Sequence, residues 1–245
     1  MGVLLDADAD YLSRAGGPGA TGLTDYTQWG WHRRTSGVGT TAASLAGVMA
    51  QEGNATRFNA LRFDGTFDGT ENGPRLSIGD ATGTTQFAIG DDHPTFDVWH
   101  FYVIVCSGAA GSVTATVYYS AEGSSIWFTQ SRALGTEDSI TPDTLLYGHN
   151  LASDANTSHG DYAYCGARAE ALNETDAKAL KSRSATAAGD WGYWRLADAS
   201  SLGDTSGNGR DLTANGTVAN GADPTIGDPP AALQRLNLIA SPMRW

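Results

Sequence analysis

The sequence predicts an all-β protein, an antiparallel two-sheet sandwich with one short helix near residues 173–183. Its 245 residues include 31 glycines and only 17% charged residues, which is typical of short strands joined by turns. Alternating apolar and polar runs recur along the chain and are separated by turn signals such as "FDGT" and "ENGP". Only the segment "LNETDAKALKSR" combines helical spacing with helix end signals.

The strands are predicted where alternation or a continuous apolar run is clearest. Residues 25–34, "DYTQWGWHRR", place Thr27, Trp29 and Trp31 on one face. Residues 98–106, "VWHFYVIVC", are apolar almost throughout and predict a strand buried on both faces. Further strands are predicted in short apolar pieces of residues 3–13 and at residues 57–64, 74–79, 85–90, 112–120, 125–130, 144–150 and 161–171.

The helix is marked at both ends. Asn173 is a predicted N-cap, and Glu174 and Asp176 fall in the first turn, where the helix dipole favours acidic groups. Both lysines of the chain and one arginine follow toward the C-terminal end, at Lys178, Lys181 and Arg183. The narrow apolar stripe consists of Leu172, Ala177, Ala179 and Leu180. Such a stripe predicts a helix that lies on one sheet.

Charge and hydropathy exclude two classes of partner. The net charge is −12, with 15 basic residues scattered among 27 acidic ones, so we expect no nucleic-acid partner. No apolar run approaches the length of a membrane span, and the opening "MGVLLDADADYL" lacks the basic region of a secretory signal. Cys106 and Cys165 lie in strand-like runs, which favours two small buried side chains over a disulfide.

The order of these pieces resembles a known fold family. The pieces "DYTQWGW", "VWHFYVIVC", "TVYYSAEG", "LLYGHN" and "DYAYCGARAEALNETDAKAL" are similar to the successive strands and short helix of the laminin G-like, concanavalin A-like jelly roll. The later "YWRLADASSLGDTSGNGRDLTANGTV" is similar to a segment that accompanies this fold in bacterial and phage proteins. The resemblance covers residues 1–220 and implies a jelly-roll sandwich with the helix packed at its edge. Residues 221–245 then form a linker and an apolar docking segment.

The sequence gives no pattern for catalysis. Glycan-cleaving relatives of this fold place several carboxylates on one strand, whereas the six glutamates of this chain show no such pattern. "EALNETD" contains carboxylates, but it falls at the helix start and is interpreted as a capping feature. We therefore expect a non-enzymatic protein with no required cofactor.

Calcium remains an open alternative. "DTSGNGRDLTAN" places Asp204, Ser206 and Asn208 like the first ligands of an EF-hand loop, but Asn215 replaces the closing glutamate, so a tight turn is favoured. The candidate calcium ligands of this loop are Asp204, Asn208 and Asp211. A second polar loop contains His149, Asp154, His159 and Asp161, and an exposed loop without metal is favoured there.

Two apolar features bear on partners. Sugar-binding proteins stack sugars on exposed aromatic rings, but most of the seven tryptophans lie in predicted strands, and Trp191 and Trp194 are left open. The C-terminal segment after a Pro/Gly-rich linker is strongly apolar and either folds back or docks on a neighbouring subunit. The residues predicted to dock are Leu233, Leu236, Leu238, Ile239, Met243 and Trp245.

Three functions follow in order of preference. The first is a structural or interaction protein of a phage virion, a head decoration or tail-associated protein that contacts other virion subunits, copies of itself or surface glycans. The viral setting comes from the resemblance alone. The second is an extracellular carbohydrate-binding lectin module, with or without calcium. The third, a glycan-cleaving enzyme, is ranked last because paired carboxylates are not evident.

Overall fold

A computed structural model shows a β-sandwich of two antiparallel sheets with one short helix. It describes residues 2–6, 10–15, 24–34, 44–51, 54–63, 74–80, 83–88, 97–109, 112–133, 144–147 and 160–226. Every strand pairing in these ranges is antiparallel. The predicted fold class is confirmed.

The first sheet contains eight of the described strands. They are β1 (Val3–Leu5), β3 (Tyr26–Arg34), β8 (Trp99–Ser107), β9 (Thr114–Ala121), β10 (Phe128–Ala133), β12 (Gly160–Arg168), β13 (Gly192–Trp194) and β15 (Ala219–Asn220). Their order is β10-β9-β8-β3-β12-β1-β15, and β13 also pairs with β12. The long central strands β8, β3 and β12 bury the large aromatic residues of the sheet.

The second sheet contains seven of the described strands. They are β2 (Tyr11–Ala15), β4 (Ser44–Gln51), β5 (Asn54–Phe63), β6 (Pro74–Asp80), β7 (Gly83–Ala88), β11 (Thr144–Tyr147) and β14 (Thr213–Asn215). Their order is β14-β2-β11-β4-β5-β6-β7. Four of the observed strands were not predicted from the sequence: β4, β13, β14 and β15.

An aromatic core lies between the sheets. Tyr102, Tyr162 and Trp194 of the first sheet pack with Leu12 and Tyr147 of the second. The Tyr147 ring centre lies 6.3 Å from that of Tyr162 and 6.1 Å from that of Trp194. Trp191 and Trp194, left open by the sequence, are both buried in this core. Cys106 and Cys165 are also buried here and are not joined in a disulfide, which agrees with the preference for two small buried side chains.

A second apolar cluster covers the outer face of the first sheet, the face turned away from the second sheet. Alternation along β3 and β8 points Trp29, Trp31 and Phe101 to this side. Helix α1 (Glu174–Ala179) and the 3₁₀ turn Leu180–Ser182 lie on it and contribute Ala177 and Leu180. The prediction of a strand buried on both faces at residues 98–106 is confirmed, because the helix covers the second face of β8.

The position of the helix differs from the one implied by the resemblance. The helix lies across the outer face of the first sheet and not at its edge. The physical reason is the apolar character of that face: its aromatic side chains would otherwise be exposed, and the stripe of the helix covers them.

A segment after β15 also packs on the first sheet. The amide of Ala222 donates to Asp161 Oδ1 at 3.0 Å, and the amide of Thr225 donates to Glu122. Pro224 is buried, and Ile226 packs against the outer apolar cluster. Residues 221–226 are therefore in contact with the sandwich. The predicted docking residues, Leu233, Leu236, Leu238, Ile239, Met243 and Trp245, lie outside the described residues.

Candidate functional site

A pocket of about 360 Å³ opens beside helix α1. Its lining residues are Arg168, Glu170, Leu172, Asp176, Ala179, Leu180, Ser182, Arg183 and Ala187. They come from the end of β12, the helix with its 3₁₀ turn, and the loop that returns toward β13. The volume falls in the range of small-ligand sites.

The helix is fixed at its start by two local devices. The buried Thr27 hydroxyl donates to the carbonyl of Glu170 at 2.8 Å and accepts from the amide of Leu172 at 3.0 Å. Asn173 caps the helix as predicted, because its Oδ1 accepts from the amide of Asp176 at 2.9 Å. The connection between β12 and α1 is thereby held against β3.

A buried carboxylate organises the inner wall of the pocket. The Asp190 side chain is fully buried and accepts from Arg168 Nε at 2.8 Å and from both terminal nitrogens of Arg183. The amide of Ala187 also donates to Asp190 at 2.9 Å. A buried carboxylate needs such partners, because removing it from water is costly. Both guanidinium groups are therefore held in place by one acid.

Arg168 makes two further bonds at the pocket. It donates from Nη1 to Glu170 Oε1 at 2.8 Å and from Nη2 to the carbonyl of Ala188 at 2.9 Å. Burial lowers the pKa of Arg168, but its bonds to Asp190 and Glu170 outweigh this, so its pKa is raised above the ordinary value. Arg168 remains a fixed cation.

The Arg183 guanidinium packs against two aromatic rings. Its Cζ lies 5.4 Å from the ring centre of Trp29 and 4.9 Å from that of Tyr193. Trp29 itself packs across Gly166, where any Cβ would collide with its ring. A guanidinium stacked in this way has little freedom to reorient toward a ligand.

The lining of the pocket combines carboxylate acceptors with apolar side chains. The Glu170 side chain is 54% exposed, and Asp176 is exposed on the first turn of the helix. The apolar lining residues are Leu172, which is half-buried, Ala179, which is exposed, and Leu180, which is buried. This arrangement offers hydrogen-bond acceptors to hydroxyl groups and apolar contact to C–H groups of the same ligand.

The two lysines of the chain lie next to the pocket and contact the β9–β10 hairpin. Lys181 Nζ donates to Ser120 Oγ, Ala121 O and Ser124 O at 2.6–2.7 Å. It also lies 5.4 Å from the ring centre of Trp127, and Lys178 Nζ lies 5.6 Å from the same ring. The lysines thus fasten the β9–β10 hairpin to the helix.

The candidate calcium loop is closed by its own hydrogen bonds. Asp204 accepts from the amides of Tyr193, Ser206 and Arg210 and from the Ser206 hydroxyl, at 2.8–3.1 Å. Burial raises the pKa of Asp204, but these bonds outweigh it and leave the pKa below its ordinary value. The structure brings Asp204 and Asp211 together through a 2.8 Å bond from the amide of Asp204 to Asp211 Oδ1.

Asn208 has a structural partner set of its own. Its Nδ2 donates to the carbonyls of Asp190 and Trp191 at 3.0 and 3.1 Å, and to Ser206 Oγ. The turn that contains Asn208 is therefore attached to Asp190 and Trp191, the two residues just before β13. These bonds support the tight-turn interpretation, while calcium binding stays untested.

The second candidate metal loop is described only at Asp161, and His149, Asp154 and His159 lie outside the described residues. Asp161 is buried in β12 and pairs with Arg33, whose Nε donates to it at 2.6 Å. Burial raises the pKa of Asp161, against the opposing bonds from Arg33 and Ala222. Across the parts of the chain that the structure describes, no three His, Cys, Asp or Glu side chains are grouped to hold a metal ion.

The pocket residues were not singled out from the sequence. Arg168 and Asp190 are 22 positions apart, and only the return of the chain after the helix brings them together. The available signals were Arg168 at the end of a buried strand and Glu170 two residues later.

Within the residues that the structure describes, no helix has the length and apolar character needed to cross a bilayer.

No protein-family model matches the chain, and no curated protein matches it in sequence. Among solved structures, the chain is similar to a candidate carbohydrate-binding protein from Bacteroides ovatus, at 14% identity and a TM-score of 0.61. That match covers 89% of this chain, which spans only 61% of the length of the Bacteroides ovatus protein.

Two further structures show a lower likeness. One is the CBM40 module of the Ruminococcus gnavus IT-sialidase bound to α2,3-sialyllactose, at 15% identity, 65% coverage of this chain, 83% of that chain and a TM-score of 0.43. The other is the enzymatically active domain of tailspike protein 2 from bacteriophage CBA120. It has 15% identity and a TM-score of 0.49, and the match covers 73% of this chain and 26% of that chain. The fold assignment rests on the Bacteroides ovatus structure, with which this chain shares a sheet-rich sandwich.

Proposed function

We propose that the chain is a non-catalytic glycan-binding module of lectin-like fold, and that the pocket beside α1 holds the sugar. The observation that carries the proposal is the combination of carboxylate acceptors, Glu170 and Asp176, with the apolar side chains of Leu172, Ala179 and Leu180 in the lining of one pocket. A sugar presents both hydroxyl donors and C–H surfaces, so it can use both parts of the pocket at once.

The fold supports this proposal without deciding it. A candidate carbohydrate-binding protein has the same sandwich at low sequence identity. Because one fold carries many functions, the argument must come from the site. The structure places a pocket with suitable chemistry on the outer face of the first sheet, beside the helix that covers it.

The arrangement of carboxylates favours binding over hydrolysis. Glycoside hydrolysis commonly needs one protonated and one ionised carboxyl group facing the same bond. Here Asp190 is engaged by Arg168 and Arg183, and Glu170 is paired with Arg168. Asp176 accepts from Asn173 Nδ2 at 2.7 Å. We therefore propose that the protein does not cleave its ligand.

We further propose that the module belongs to a phage virion, with an extracellular lectin as the alternative. The similarity of the SGNG segment to phage-borne copies of this fold supports the setting. The apolar residues from Leu233 to Trp245 support attachment to neighbouring subunits. Mass spectrometry of purified virions of a phage whose genome encodes this chain tests the location, since a virion component must be recovered with the particles.

A pocket-filling substitution tests glycan binding. Ala179 is exposed and lines the pocket, so Ala179→Phe fills it without removing a structural contact. Thr175→Phe adds the same ring at an exposed helix position outside the lining and serves as the control. On a glycan array we expect binding by the wild type and by Thr175→Phe and loss of binding in Ala179→Phe.

Two results would contradict the proposal. If the wild type retains no glycan, the module is not a lectin. If Ala179→Phe binds as well as Thr175→Phe, the sugar is held elsewhere on the sandwich. Circular dichroism of both variants shows that any loss is not caused by unfolding.

A further inference from the structure

We infer that the pocket beside α1 selects uncharged glycans over glycans that carry a carboxylate. This inference rests on the proposed function and concerns the ligand class of the same site. It follows from the partners that the two pocket arginines already have and from the charge of the groups around them.

The cations of the pocket are already matched by acids of the chain. Arg183 contacts both oxygens of Asp190, and Arg168 donates to Asp190, to Glu170 and to the carbonyl of Ala188. Bidentate recognition of a carboxylate requires a guanidinium edge that is free to face it. An acidic sugar would have to compete with a fully buried carboxylate for Arg183. The arginines are therefore architectural and do not attract an anion.

The remaining charges oppose an anion. Arg168 and Arg183 contribute two positive charges, while Glu170, Asp176 and Asp190 contribute three negative ones, which leaves one net negative charge at the site. The whole chain, with these groups included, carries a net charge of −12. A ligand carboxylate placed in the pocket is repelled by the exposed carboxylates of Glu170 and Asp176 at short range.

The same groups favour hydroxyls. Ionised carboxylates accept hydrogen bonds and donate none, so Glu170 and Asp176 match the hydroxyl donors of a neutral sugar. Hydrogen bonds to charged acceptors are stronger than those between neutral groups. The apolar lining residues contact C–H groups whatever the charge of the ligand. An uncharged hexose-based glycan is the ligand class that all of these groups accept.

The test compares matched glycan pairs on one array. Each pair has oligosaccharides that end in galactose or in galacturonic acid, which differ only by a carboxylate in place of the C6 hydroxymethyl group. We expect the wild type to retain the uncharged member about tenfold more strongly. Retention of the uncharged member should change little between low and high salt, because no ligand charge is being screened.

Two variants sharpen the comparison. Glu170→Gln removes one rim charge and frees a donor of Arg168, so we expect the preference for the uncharged member to shrink several-fold. Glu174→Gln removes the same charge from an exposed helix position outside the pocket lining, and we expect it to keep the wild-type preference.

The failures can be told apart. Stronger retention of the acidic members by the wild type overturns the selectivity while glycan binding stands. The selectivity is also wrong if Glu170→Gln and Glu174→Gln behave alike. If no member of any pair is retained, the proposed function and this inference fall together.

Discussion

At the scale of single residues, His100 shows what burial does to a titratable group. Its ring is only 5% exposed and stacks on Tyr119, with ring centres 5.1 Å apart and planes 6° from parallel. Burial lowers the pKa of His100 to about 4, against a hydrogen bond that the ring donates to the Val98 backbone and that raises the pKa, and the nearby Lys181 charge lowers it further. The imidazole is therefore neutral in the folded protein at physiological pH.

This lowered pKa predicts a loss of stability in mild acid. The unfolded chain binds a proton at His100 near pH 6.5, whereas the folded chain does so only near pH 4. The stabilising contribution is thus complete above pH 6.5 and disappears as the pH falls toward 4. We expect the free energy of unfolding, measured in urea, to be about 2 kcal/mol lower at pH 5 than above pH 6.5 because of this residue.

The comparison that isolates this residue is His100→Phe. The variant keeps a ring for the stack on Tyr119 and has no titratable nitrogen. Groups with other shifts, such as Asp161 with its raised pKa, are common to both proteins and cancel in the difference. Parallel pH profiles for wild type and His100→Phe would show that His100 is not the source.

The place of a single residue could be predicted where it depends only on residues nearby in the sequence. Alternation alone assigned Trp29 and Trp31 to one face, and both are buried there. The pocket residues Arg168 and Asp190 could not be found in this way. Their pairing depends on how the chain returns after the helix, and no local spacing encodes that return.

At the scale of elements, end signals and continuous apolar runs were the reliable guides. The helix was predicted because Asn173 and its acidic first turn are local signals, and the structure has the same cap. Strand β4, "SLAGVMAQ", lacks both alternation and β-branched residues apart from one valine, so its sequence gives no strand signal. Strands β13 to β15 have two or three residues each and are defined by their partner strands.

The attachment of the β9–β10 hairpin to the helix gives a prediction about Lys181. Lys181→Met keeps an apolar stem but removes the donors to Ser120, Ala121 and Ser124. We expect the free energy of unfolding to fall by about 1–3 kcal/mol, because these acceptors lose a charged partner. Urea denaturation monitored by tryptophan fluorescence measures it.

Lys178→Met is the matched control, because Lys178 lies on α1 just before the 3₁₀ turn that contains Lys181 and contacts the same Trp127 ring. Its ion pair with Glu174 is largely exposed, so we expect a change below about 1 kcal/mol. Equal losses in the two variants would mean that the hairpin is held by the aromatic contacts and not by the Lys181 donors.

At the scale of the whole molecule, the contacts of residues 221–226 decide where the C-terminal segment can be removed. A chain ending at Gly221 loses the Ala222 bond to Asp161 and the contact of Ile226. A chain ending at Ile226 keeps both. We expect the shorter chain to lose about 2 kcal/mol or more relative to the longer one in urea unfolding. Equal stabilities would show that residues 222–226 do not support the fold.

The chain ending at Ile226 is therefore the right form for testing assembly. If the proposed docking residues from Leu233 to Trp245 join subunits, light scattering should show a defined oligomer for the full chain and a monomer for the chain ending at Ile226. Identical masses for the two forms would remove the support that this segment gives to the virion proposal.

The location of the two lysines has a practical consequence for every binding measurement on this protein. Lys178 lies on helix α1 and Lys181 lies in the 3₁₀ turn that follows it, and both elements also contribute residues to the pocket lining. Attachment to a sensor chip or bead through lysine amines would tether the molecule beside the pocket and restrict access to it. A negative result obtained that way does not separate blocked access from absent binding, so capture through a terminal biotin is the appropriate format.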